Sequence, residues 1–219
     1  MEEREKTQTR TEVICVIDRS GSMQSIQNDA IGGFNAFLAD QQAVPGDCRL
    51  TLVFFNDRAE TYCFSEDIHR VKPLNYLSYK PSGQTALLDA IKTTIEATIA
   101  RLKMENQQAV GASRQAPAVN VVMVILTDGE ENASRYARRS EVFKLIHRCR
   151  KAGWIFLFLA ANQDAIQGGE SLGIDRQHSQ GFVANSAGTR DTFNDISGFV
   201  TSFRSIPTSG GNSGGHNLH

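Results

Sequence analysis

Apolar residues recur along this chain in two alternating patterns, short continuous runs and stripes of helical spacing. Val13-Ile14-Cys15-Val16-Ile17 is apolar on both faces and predicts a buried strand over about 12–18. Met23, Ile26, Ala30, Phe34, Phe37 and Leu38 then recur at helical spacing, predicting an amphipathic helix from Met23 to Gln42. Within it, Gly32-Gly33 costs helix propensity and leaves room for close packing on a sheet. After the Pro45-Gly46 break, Leu50–Phe55 reads as a strand, Asn56-Asp57 as a turn and Ala59–Phe64 as the second arm of a hairpin. Val71–Tyr79 has no clear period and reads as extended loop with room for a short helix. Leu87, Leu88, Ile91, Ile95, Ile99 and Leu102 form one stripe that runs to about Met104, and the polar stretch 105–117 reads as a mobile loop. Val119–Leu126 suits an interior strand of a parallel sheet. A helix at 138–152 capped by Gly153, a strand at Trp154–Ala160 and a short helix near 163–171 follow. Phe182-Val183 marks a short last strand, and Thr192–Phe203 a final helix.

Strands alternating with helices predict a doubly wound, Rossmann-like α/β fold. Its sheet is mostly parallel with one antiparallel edge strand, near 59–64, and helices cover both faces. The expected organisation is a polar N-terminal arm over 1–11, one domain over 12–204 and a disordered Ser-, Gly- and Asn-rich tail over 205–219. The 219 residues suffice for one full core. A formal net charge of −1 creates no global field for nucleic acid or an anionic membrane. No apolar run is long enough to span a bilayer, and Met1–Lys6 is charged and lacks the apolar core of a secretion signal. Cys15, Cys48, Cys63 and Cys149 are scattered, without metal-binding spacing, and read as free thiols in a reducing cytoplasm.

Candidate chemistry lies where the buried runs end. Asp18-Arg19-Ser20-Gly21-Ser22 follows the first strand, with a carboxylate and two hydroxyls on alternate residues. Such a loop offers hard oxygen ligands, suited to Mg²⁺, Mn²⁺ or Ca²⁺ rather than zinc. Asp128, in Thr127-Asp128-Gly129, also lies just past a strand end, and Thr85 opens a helix that approaches the same rim. Ligands of doubly wound sheets bind beyond the carboxyl ends of the strands, at the switch point, so these three loops are expected to converge.

The three loops resemble the von Willebrand factor type A domain, or integrin I-like fold. Its metal-ion-dependent adhesion site combines a D-x-S-x-S loop (here Asp18, Ser20, Ser22), a threonine (Thr85) and an aspartate (Asp128). The run Asp18–Met23 looks most like the bacterial stand-alone members. The resemblance implies that Ser20, Ser22 and Thr85 bind a divalent ion, Mg²⁺ or else Mn²⁺ or Ca²⁺, with Asp18 and Asp128 acting largely through bound water. It further implies a cytoplasmic, non-enzymatic module that grips an Asp or Glu of another protein. Similar stand-alone proteins serve as adaptors or accessory factors of AAA-type ATPases and of stress-response or phage-related systems.

A metal-dependent phosphatase is the competing reading, but the second aspartate that a dehalogenase-type phosphatase needs is Ser20 here. G-x-S-x-G, the P-loop, a dinucleotide fingerprint after the first strand and H-E-x-x-H are all missing. Plainer roles also need weighing. Ser22 is placed to cap the helix beginning at Met23. Glu130 and Glu131 read as charges near a helix start in preference to a ring around the metal face. Asp57 reads as a turn residue and Asp89 as an exposed or capping helix residue. Asn162-Gln163-Asp164 borders the same rim, and the Arg and Lys residues from Arg135 to Lys151 read as a solvated helix face, the alternative of a basic docking surface having little support in a near-neutral chain.

Overall fold

A computed structural model describes residues 9–112, 116–161 and 165–205. The strands are β1 (Thr9–Asp18), β2 (Asp47–Phe55), β3 (Ala59–Asp67), β4 (Ala118–Thr127), β5 (Ile155–Ala160) and β6 (Ser179–Gly181). They form one sheet in the order β3-β2-β1-β4-β5-β6, and only the β2–β3 pairing is antiparallel. The helices are α1 (Gln27–Ala43), α2 (Leu87–Gly111), α3 (Arg139–Lys151), α4 (Ala165–Ser171) and α5 (Ser186–Ser205). This is the expected doubly wound α/β architecture, with helices on both faces.

The period-two geometry of β1 divides the core. Val13, Cys15 and Ile17 join one buried cluster with Phe34, Phe37 and Leu38 of α1 and Phe193, Ile196 and Val200 of α5. Ile14 and Val16 point to the opposite face, against Ile91 and Ile95 of α2 and Val142 and Ile146 of α3. At the start of β1 the fully buried Glu12 lies 3.0 Å from both Arg10 and Arg101, which ties the strand to α2.

Several elements depart from the sequence pattern for local reasons. The segment predicted to open as α-helix at Met23 begins as a 3-10 turn, Gly21–Ile26, and becomes α-helical at Gln27. Gly33 makes its close approach to α5 rather than to the sheet: a Cβ there would stand 2.2 Å from Cδ2 of Phe193. The stretch 105–117 is not loop throughout, because α2 continues to Gly111. Residues 105–110 contain neither Gly nor Pro, and Glu105 accepts from Arg101 one turn earlier (2.6 Å) and from Arg10 (2.6 Å). Residues 113–115, part of the expected mobile loop, lie outside the described residues, as do 1–8 and 206–219 of the expected arm and tail.

In Val71–Tyr79 the short helix fails to form. A 3-10 turn, Ile68–Arg70, precedes the segment, and Asn75 organises a turn to Ser78. The last strand is Ser179–Gly181, not Phe182-Val183, because Ser179, Gln180 and Gly181 pair with Phe158–Ala160 of β5. An apolar pattern cannot reveal a strand recruited at the edge by its neighbour. α5 starts at Ser186, six residues earlier than predicted: Asn185 caps it by accepting from the N–H of Gly188 (2.9 Å). Among the described residues, no helix is long and apolar enough to cross a membrane.

Candidate metal centre

The winding of the sheet reverses between β1 and β4, so the loops leaving these strands flank the switch point. Asp18 ends β1 and Asp128 directly follows β4. Thr85 stands two residues before α2, which packs on the face between them. All five singled-out residues meet at this rim.

Hydrogen bonds connect the oxygens in sequence. The Asp18 carboxylate accepts from the Ser20 N–H (2.7 Å) and from the Thr127 hydroxyl (2.6 Å). The Ser20 and Ser22 hydroxyls are 3.0 Å apart, and the Ser22 hydroxyl donates to Asp128 (2.7 Å). Thr85 faces the same space through Gly129. A Cβ on Gly129 would sit 2.9 Å from Thr85 Oγ1, 3.6 Å from Ser22 Oγ and 3.7 Å from Asp18 Oδ2. The missing side chain leaves a cradle that oxygens of all three loops address. The 3-10 turn has Ser20 as its N-cap but no side-chain capping bond, so these hydroxyls are not consumed by helix capping.

Backbone bonds fix the loops to each other. Gly21 N–H donates to Gly83 O (3.0 Å), Ser82 N–H to Arg19 O (2.9 Å) and Arg19 N–H to Phe55 O (2.7 Å). Gly83 has φ +75°, a conformation that favours glycine, and a Cβ there would strike Asp57 Oδ2 at 2.1 Å. Asp57 also accepts from the Gln84 N–H (3.1 Å), so this turn residue clamps the threonine loop. Beneath the rim, the buried Tyr79 hydroxyl donates to the Asp18 carbonyl (2.5 Å).

The third loop is held by two acids. Glu131 accepts from the N–H groups of Leu88, Ala133 and Ser134, so it does serve a helix start, that of α2. Asp89 is neither exposed nor a cap of its own helix. It is nearly buried, and its carboxylate accepts from the N–H groups of Arg135, Tyr136 and Ala137 at 2.7–3.0 Å. Asn132 receives the Thr85 N–H (2.9 Å) and donates its own N–H to Thr85 O (3.1 Å). Thr127, Tyr79, Asn132 and Gly129 escape sequence reasoning, because no pattern shows which polar residue will face a loop far along the chain. The T-D-G string itself was the one available signal for Thr127 and Gly129. Asn162-Gln163-Asp164 lies outside the described residues.

The electrostatics suit a cation. Burial pushes the Asp18 carboxyl above its usual range, against hydrogen bonds from Thr127, Ser20 and the Asp128 backbone. Burial also raises Asp128, and the Asp18 charge raises it further. Tyr79 is held well above the usual phenol range by burial, then by both aspartates. The donor set is all hard oxygen, with two carboxylates and three hydroxyls around a cradle, and so it fits a divalent ion such as Mg²⁺, Mn²⁺ or Ca²⁺. Among the described residues no three of His, Cys, Asp and Glu group to hold a metal, so the hydroxyls are indispensable to any ion held here. A hollow of about 480 Å³ lies away from this rim, lined by residues that include His147, Lys151, Trp154 and His178.

Comparison with known proteins agrees with this architecture. Proximal thread matrix protein 1 of the mussel byssus superposes with a TM-score of 0.57 at 17% identity, over 88% of this chain and 46% of that one. A second structure of the mussel protein, described as having a zinc-occupied MIDAS motif, matches at 0.57 and 17% identity over 89% and 46%. The D319A mutant of the PilB minor pilin from Streptococcus sanguinis matches at 0.61 and 14% identity, over 94% and 65%. The von Willebrand factor type A protein from Catenulispora acidiphila matches at 0.52 and 14%, over 87% and 42%. The chain thus spans about half the length of the mussel protein, and at these identities the likeness is one of fold. A search of curated protein sequences found no match. The family model of the von Willebrand factor type A domain matches residues 12–196, which run from Glu12 within β1 past β6 and include all three rim loops, and the chain belongs to that family.

Proposed function

We propose that Ser20, Ser22 and Thr85 hold a divalent cation, Mg²⁺ foremost, with Asp18 and Asp128 in or just outside its coordination shell. The rim then captures an Asp or Glu side chain of another protein, which makes the chain a binding module rather than an enzyme. The observation that carries this reading is the cradle at Gly129, addressed by Thr85, Ser22 and Asp18 from three loops. When bound, the ion supplies a positive charge that neutral hydroxyl ligands leave poorly compensated, so it favours a carboxylate from outside.

Each residue has a separate task. Ser20 and Ser22 offer neutral oxygens from one short turn. Thr127 and the Ser20 N–H orient the Asp18 carboxylate, and Ser22 orients Asp128. Asp57, Asp89 and Glu131 hold the second and third loops in place through backbone N–H groups. The groups bonded to Asp18 are hydroxyls and backbone amides, not a base that would activate a nucleophile. The zinc-occupied motif of the mussel protein supports a divalent ion at this rim, although hard oxygen donors favour Mg²⁺. An adaptor or accessory role, in the cytoplasm and beside a larger machine such as an AAA-type ATPase, fits a module that presents a carboxylate-binding rim.

Calorimetry with Mg²⁺ or Mn²⁺ on the wild type, Asp18→Ala and Ser20→Ala tests the site. Binding should be lost or weakened at least about tenfold in both variants, in line with the loss of one ligand. Equal affinity in all three proteins would overturn the assignment.

A further inference from the structure

We infer that α3 and the turn before it form a second recognition surface, a basic strip leading away from the metal rim that takes an acidic protein segment. The inference extends the reading that the rim accepts a carboxylate, but it stands on a separate charge distribution. Seven of the 17 residues from 135 to 151 are Arg or Lys, and Glu141 is the one acid among them. The other 202 residues carry 16 Arg or Lys against 23 Asp or Glu, so the near-neutral total hides a strongly polarised chain.

The fold gives this charge a direction. α3 connects the parallel strands β4 and β5 and therefore runs antiparallel to them, from the rim toward the opposite end of the sheet. Val142, Leu145, Ile146 and Cys149 face the core, while Arg135, Arg138, Arg139, Lys144 and Lys151 are exposed. Thirteen helical residues span ~20 Å. The near end is anchored at the metal centre: Asp89, in the first turn of α2, binds the Arg135 and Tyr136 N–H groups (2.8 and 3.0 Å). Tyr136 is 83% exposed there. An acidic segment with one carboxylate at the rim has cations ahead of it along α3.

The shape favours a short acidic segment over nucleic acid. The strip is a single helix face, and Phe143, half-exposed, is stacked on the His147 ring, so that Tyr136 beside it does not make the row of stacking platforms that a single strand takes. An extended polyanion would soon run past the strip onto the acid-rich remainder of the chain.

The test uses a fluorescein-labelled ten-residue oligoglutamate, its oligoglutamine counterpart and a 15-nucleotide oligo(dT), with anisotropy read at 50 mM salt with Mg²⁺ or with EDTA. The variant Arg135→Glu/Lys144→Glu/Lys151→Glu changes three exposed side chains, and circular dichroism checks that it folds. Oligoglutamate should bind in EDTA, weaken with salt, and lose about tenfold or more in the triple variant. The EDTA arm removes any bound ion, so failure of the metal reading and failure of the strip are read separately. A triple variant within twofold of wild type, oligoglutamine binding equal to oligoglutamate, or tighter binding of oligo(dT) would each overturn the proposal.

Discussion

At the scale of single residues, two glycines in the rim are required for different physical reasons. Gly83 has φ +75° and its Cβ position overlaps Asp57 Oδ2, so Gly83→Ala meets backbone strain and a clash together. Its expected cost is ~1–3 kcal/mol, readable as a lower urea midpoint. Gly129 lacks a left-handed backbone, so alanine is conformationally acceptable there, but the new methyl would lie 2.9 Å from Thr85 Oγ1. Gly129→Ala should therefore melt close to wild type and lose Mg²⁺ affinity by at least about tenfold in calorimetry. Unchanged affinity would show that the cradle is not where the ion sits. Asp18, Ser20, Ser22 and Asp128 were legible in the sequence because they follow strand ends, Thr85 because it opens a helix, and the five together because they match the family's metal-site pattern. Gly129 was visible only as part of a string, and its role depends on what stands across the gap.

At the scale of elements, the long loop between β4 and α3 is held by carboxylates that accept from its backbone N–H groups. Asp89 collects three backbone N–H groups from the segment that joins the metal loop to α3. Removing that carboxylate leaves donors without partners, so Asp89→Ala should cost ~2–4 kcal/mol and speed amide exchange at 135–137. Protection unchanged at those amides would contradict this role. The α1–α5 contact makes a second test. Gly33→Ala places a methyl 2.2 Å from the Phe193 ring, and α5 must move or tilt, at ~1–3 kcal/mol by thermal melting. Strongly periodic elements such as β1, β4 and α2 were plain in the sequence. The ends of α2 and α5 and the whole of β6 were not, because ion pairs, an Asn cap and a neighbouring strand decide them.

At the scale of the whole molecule, the carboxylates set opposing pH responses. Glu12, Asp18 and Asp128 are raised foremost by burial, so ionising them costs more in the folded state than in the unfolded one. Their contribution is fully present below the ordinary carboxylate range and is lost as pH rises through the raised folded-state values. Glu60 and Glu105 are lowered, Glu60 by Arg19 and Glu105 by bonds from Arg10 and Arg101 that outweigh its desolvation. Their contribution is present above the ordinary range and fades as pH falls through the lowered values. Metal-free protein should thus lose the Asp18 and Asp128 share of its stability on going from acid to neutral pH, and a divalent ion should restore it. Mg²⁺ at 100 times Kd should add ~2.7 kcal/mol, or ~5–10 °C in Tm, at pH 7. The gain should shrink as pH falls below the raised values of the two aspartates, and a gain independent of pH would count against their part in the site.

The sequence by itself determined the class of fold, the strands that build the sheet centre and the five rim residues. The fold class and strands follow from periodicity, the meeting of the Asp18 and Asp128 loops from the rule that loops leaving adjacent parallel strands share one edge, and the choice of the five residues from their resemblance to the family's metal-site pattern. Only the tertiary structure decided what surrounds them: Thr127 on Asp18, Tyr79 beneath, Asp89 and Glu131 holding the third loop, and the empty Cβ position of Gly129. It also turned a basic helix, unremarkable in a near-neutral chain, into a strip leading away from the rim. The physical reason is the same in each case. Hydrophobic pattern is a local property that the chain carries with it, whereas a polar group's partner, and the field it stands in, are set by residues that become neighbours only when the chain folds.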